Sequence, residues 1–190
     1  MMEKRVGGFL ENAGSKVVGY AAVFGPLSED LGGFRERIDP AAFDFSIKQN
    51  VDVRALVDHE SGKVLGRRSN GTLQIATDKT GLRVEIDLPE TSYANDLKAL
   101  MARGDISQMS FAFTVPPNGD SWDGTTEDGL RLRTLKDVRL VEVSVVAIPA
   151  YPDTTAALRM LHAINGTRAM QQRAMVALAV KYPRAWQKPV

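Results

Sequence analysis

The stretch that most restricts the fold is VRLVEVSVVAI, residues 138–148, which stops at Pro149. A β-branched run of this length is at home only inside a sheet. Strand alternation sets Val141, Val143 and Val145 on one face and Glu142, Ser144, Val146 and Ile148 on the other. A carboxylate among valines is costly unless it is paired or reaches solvent. Glu142 is therefore either an edge or solvent-facing residue, or a carboxylate kept for a partner.

Other segments read the same way. KVVGYAAVF (16–24) is β-branched and aromatic, and VDVRALVD (51–58) alternates Val51, Val53, Ala55 and Val57 on one face. TLQIATD (72–78) and GLRVEIDL (81–88) flank the turn signal DKTG and predict a hairpin. SFAFTV (110–115) and LRLRTL (130–135) flank PPNGDSWDGTTEDG, which reads as an exposed polar loop. One helix is expected over 92–103. Thr91 or Ser92 is its cap, Tyr93, Leu97, Leu100 and Met101 form its apolar stripe, and Gly104 ends it. Past PAYPDT the pattern turns helical, with His162 on a solvated helix face. The expected architecture is α+β: a mainly antiparallel β-body over residues 1–155 and a helical segment over 156–190.

Composition narrows the function. The 190 residues carry 44% hydrophobic and 25% charged side chains, as an ordered globular chain does, and a net charge of +1 gives no field that points to nucleic acid. There is no cysteine, so disulfides and thiolate sites are excluded. The start lacks the apolar core of a signal peptide, and no run approaches the roughly 20 apolar residues of a membrane span. A soluble, intracellular protein is expected. Asp153 is the last acid; beyond it Arg159, Arg168, Arg173, Lys181, Arg184 and Lys188 make the tail basic.

Three residues carry candidate chemistry. His59, in LVDHESGKVLGR, ends a strand and is bounded by Ser61 and Gly62; an imidazole there is placed for proton transfer, or is simply a polar loop residue. Ser110 shares a face with Ala112 and Thr114, opposite Phe111, Phe113 and Val115. Its hydroxyl is either an outward-facing strand serine or a nucleophile on a rigid mount with an open, small, polar face. Ser107 is a rival nearer the loop. Glu142 supplies the carboxylate that orients a histidine in a nucleophile–base–orienter triad. No cofactor is implied. A metal site is not expected, because DHE lacks the second histidine of H-E-x-x-H and no thiolate exists.

The blocks GYAAVFG, FRERIDPAAF, LVDHESGKVLGR, GLRVEIDLPET, LMARGDISQMSFAF and RLVEVSVVAIPAYPDT occur in an order that resembles the prohead maturation proteases of tailed bacteriophages, relatives of the herpesvirus capsid-maturation proteases. The resemblance covers about residues 16–158. It implies a serine endopeptidase on a herpesvirus-protease-like antiparallel β-barrel surrounded by helices. His59 would be its general base, Ser110 its nucleophile and Glu142 its third member. It also implies the major capsid protein, its scaffold segment and the protease itself as substrates, action in the host cytoplasm inside the procapsid, no membrane partner, no specific nucleic acid, and room for a homodimer. Related viral enzymes use a histidine where Glu142 stands. Asp58 is a second acid beside His59, and Ala112 replaces an expected glycine. The basic tail is then a tether, a self-cleaved segment or a docked helical pair. The competing class is an inactive capsid-assembly or scaffold-associated β-domain. An esterase lacks its G-x-S-x-G elbow here.

Overall fold

The structure, a computed structural model, describes residues 2–13 and 16–147. The tail over 156–190, with His162, lies outside the described residues. The strands are β1 (Met2–Ala13), β2 (Lys16–Val23), β3 (Phe34–Ile38), β4 (Arg54–Val57), β5 (Glu60–Arg67), β6 (Leu73–Thr77), β7 (Gly81–Asp87), β8 (Gln108–Thr114), β9 (Asp120–Ser121), β10 (Arg131–Leu135) and β11 (Arg139–Val146). Two helices, α1 (Asp44–Lys48) and α2 (Ser92–Arg103), interrupt them. An eight-stranded sheet runs β5-β4-β11-β8-β1-β2-β7-β6, and a three-stranded sheet runs β3-β10-β9. Most ladders are antiparallel, but β4 pairs with β11 and β3 with β10 in parallel. The molecule is thus mainly β with helices, as expected.

The predicted hairpin forms by β6 and β7, whose Leu73, Leu82, Val84 and Ile86 are buried. Gly81 opens β7 because a β-carbon there would lie 2.0 Å from the Ala22 carbonyl oxygen. Helix α2 buries Ala94, Leu97 and Met101, and Tyr93 donates its hydroxyl to the Val64 carbonyl at 2.8 Å. Gly104 ends it in the left-handed conformation at φ 82°. Thr91 occupies the N-cap position, yet its hydroxyl makes no cap bond.

One expectation changes near β11. Val141 is exposed instead of sharing the buried face of Val143 and Val145, because the β8–β11 register shifts between Leu140 and Glu142. This bulge lets Leu140 face the aromatic side of β8 opposite Phe113, while Glu142 faces the other side opposite Ala112. Helix α1 fixes the bulged end. The buried Ser46 hydroxyl accepts the Leu140 N–H at 3.0 Å and donates to the Val138 carbonyl at 3.2 Å. Arg68 in turn donates to the Ser46 and Ile47 carbonyls at the C-terminal end of α1, where a cation is favourable.

The 116–129 segment is less open than its composition implies. Within it β9 pairs with β10, and Trp122 lies edge-on to Phe34 with the Arg131 guanidinium 4.5 Å above its ring. A charged cluster fastens this small sheet to β1. Arg133 donates to Glu3, Glu36 and Asp120, and Arg5 donates to Glu36 from the other side. The bond from Arg133 holds the Glu3 carboxyl below its ordinary value, whereas burial pushes Glu36 up against the pull of both guanidiniums.

Candidate active site

β4 and β5 are joined by two residues, since Val57 pairs with Glu60. Asp58 and His59 carry φ of 46° and 61°, the positive values that a tight type I′ hairpin demands. Asparagine and glycine are the usual occupants, and aspartate and histidine are among the few other residues that enter this region with any frequency. Ser61 and Gly62, though typical turn residues, continue β5, and the Asp58-His59 turn itself presents the imidazole. Four contacts hold it. Asp58 donates its N–H to the Val145 carbonyl at 2.9 Å and accepts the Ala147 N–H on its carboxylate at 2.8 Å. His59 donates its N–H to Ser144 Oγ at 3.3 Å, and its Nδ1 bonds Glu142 Oε1. Asp58 is thereby occupied with the end of β11 and is not a second partner for the ring.

Glu142 is 6% exposed and has a donor on each oxygen: His59 Nδ1–H on Oε1 and, at 2.5 Å, Ser144 Oγ–H on Oε2. Its unfavourable place among valines is explained by these bonds, not by an edge position, since β11 runs between β4 and β8. A carboxylate on Nδ1 accepts, so Nδ1 carries the ring proton and Nε2 keeps a lone pair.

Ser110 stands directly opposite Ser144 on the neighbouring strand, and Ala112 opposite Glu142. Antiparallel partners share a face, so β8 and β11 set Ser110, Ser144 and Glu142 side by side. On the reverse face Phe111 stacks with Phe113 at 5.1 Å and meets Phe43 edge-on at 5.5 Å, which anchors the strand. Ser110 is fully buried, contrary to the open face expected, because β8 lies between β1 and β11 and both its faces are covered. Its hydroxyl donates to the Arg5 carbonyl of β1 at 2.9 Å rather than to His59. Ser107 lies just before β8 and makes no such mount. Ser144, which by alternation shares Glu142's face, is the hub of the hydrogen bonds. Its even spacing from Glu142 was the signal available.

The model of the caudovirus prohead serine protease family matches residues 4–168. The chain belongs to that family. It is a serine protease of the capsid-maturation type. Among curated proteins none matches its sequence. Among solved structures, the bacteriophage T4 capsid assembly protease gp21 aligns over 76% of this chain and 96% of its own, at 10% identity and a TM-score of 0.48. Among the described residues no group of three or more histidine, aspartate or glutamate side chains could hold a metal, and no helix is long and apolar enough to cross a membrane.

Proposed function

We propose that the protease works through Ser110 as nucleophile, His59 as general base and Glu142 as the orienting acid. The observation that carries this is the Glu142–His59 bond on the face of the sheet that Ser110 shares. The Ser110 hydroxyl turns from the Arg5 carbonyl toward His59 Nε2, which takes its proton as Oγ attacks the scissile carbonyl. The imidazolium, stabilised by Glu142, returns that proton to the leaving amine. Water then attacks the acyl-enzyme, with His59 again the base, and releases the acid and Ser110.

The substrates in this reading are the major capsid protein with its scaffold segment and the protease itself, cleaved inside the procapsid. Support comes from the family and not from any bound peptide. The barrel belongs to the same reading. It is supported by the first and last strands of the large sheet, β5 and β6, being joined by residues 68–72 alone, with Arg67 N–H bonded to Thr72 Oγ1 at 2.9 Å. The test is intact mass after treatment with a fluorophosphonate. One adduct that maps to Ser110 and is absent from Ser110→Ala supports the triad, and an adduct elsewhere refutes it.

A further inference from the structure

Ser144 is 0% exposed and sits two residues after Glu142 on β11, facing Ser110 across the ladder. Its single hydroxyl touches both partners of the His59–Glu142 hydrogen bond at different atoms. The oxygen accepts the His59 main-chain N–H at 3.3 Å, and the hydrogen goes to Glu142 Oε2 at 2.5 Å. The two bonds act on the two degrees of freedom that matter. The first holds a turn residue at φ 61°, a left-handed conformation that residues other than glycine adopt uncommonly. The second takes the carboxylate oxygen that His59 does not use, so Oε1 is turned toward Nδ1. A hydroxyl is the smallest group that can accept and donate at once. Ala would leave a buried carboxylate oxygen and a turn N–H without their partner, and Val would do so while refilling the volume.

We infer that Ser144 is a positioning residue that locks the His59 turn and the Glu142 carboxylate into one unit, so that the base is aligned before substrate arrives. The inference rests on the Ser110–His59–Glu142 reading. It assigns Ser144 no contact with substrate, so its loss acts on the acylation rate and leaves binding alone. A group displaced by about 1 Å in an active site loses on the order of a hundredfold in rate.

The test follows the pre-steady-state burst of p-nitrophenyl acetate hydrolysis in wild type, Ser144→Ala, Ser144→Thr and Ser110→Ala, with the His59 Nδ1 proton observed by NMR. The expected result for Ser144→Ala is an acylation rate about 10- to 100-fold lower with an apparent dissociation constant within about twofold. The downfield Nδ1 proton resonance is broadened by exchange, and Ser144→Thr, which keeps the hydroxyl, recovers most of the rate. An acylation rate within about twofold of wild type in Ser144→Ala, with Ser110→Ala inert, overturns the positioning role and leaves the triad standing. A rate loss that Thr does not recover, with the Nδ1 resonance unchanged, also overturns it. A full burst in Ser110→Ala removes the triad itself.

Discussion

The Ser110 hydroxyl donates to the main-chain carbonyl of Arg5 at 2.9 Å, across the ladder between β8 and β1. In the proposed triad the nucleophile's hydrogen is therefore held by a neighbouring strand and must turn away from that carbonyl before His59 can take it. Ser110→Ala deletes one buried hydrogen bond whose remaining partner is a carbonyl, a change of about 1 kcal/mol. A melting curve of this variant should stay within roughly 2–4 °C of wild type. A larger drop would mean that Ser110 is chiefly structural.

Glu142→Gln keeps the shape and changes the chemistry. Both oxygens of Glu142 now receive donors, from His59 and from Ser144. An amide offers one acceptor and one donor, so one of those partners faces a donor and the imidazole is pushed toward the wrong tautomer. Turnover should fall by roughly 10²–10⁴-fold with the fold intact, by analogy with amide replacement of a triad acid. Near-normal turnover in steady-state kinetics would remove Glu142 from the triad.

Phe111 is 1% exposed and contacts Phe43 and Phe113 directly behind the Ser110 face. Phe111→Ala opens a cavity at the centre of β8 and should cost about 3–5 kcal/mol in urea unfolding. Phe111→Leu fills most of the space and should lose less than half of that. Equal losses would show that the aromatic stack adds nothing beyond volume.

Acid stability should depend on Asp52. Arg67 donates to its carboxylate from Nε and Nη2, Ser69 caps it, and these bonds hold the carboxyl well below the ordinary value of 3.8. Glu3 is lowered in the same sense by Arg133. A folded value below the unfolded one means the contribution is present above about pH 4 and is lost as pH falls through the depressed value. The urea midpoint of wild type should therefore fall progressively as pH is taken below about 4, and the fall should be shallower in Asp52→Asn. Parallel curves for the two proteins would show that Asp52 makes no such contribution.

Much of this was readable from local pattern. Alternation found the β6–β7 hairpin, and Gly104 marked the end of α2. It failed where neighbours override propensity. β1 carries Glu3-Lys4-Arg5 near its start and contains Gly7-Gly8, yet it is a strand because β8 and β2 pair with it. Edge strand β5 hides behind Ser61 and Gly62, residue types that favour a turn. The residues of the proposed triad were legible one by one. Their assembly was not, because it rests on a parallel pairing of β4 with β11 and on a bulge at Val141 that no local pattern announces. The burial of Ser110 depends on Arg5, 105 positions earlier in the chain.

On the proposed function, Ser110 should cut the capsid protein during head assembly. The direct measurement is the intact mass of the capsid protein of the same phage after co-expression with wild-type protease or with Ser110→Ala. Wild type should yield a shortened capsid protein with one new N-terminus, and Ser110→Ala the full-length chain. A shortened product with Ser110→Ala, or full-length capsid protein with both, would contradict the claim.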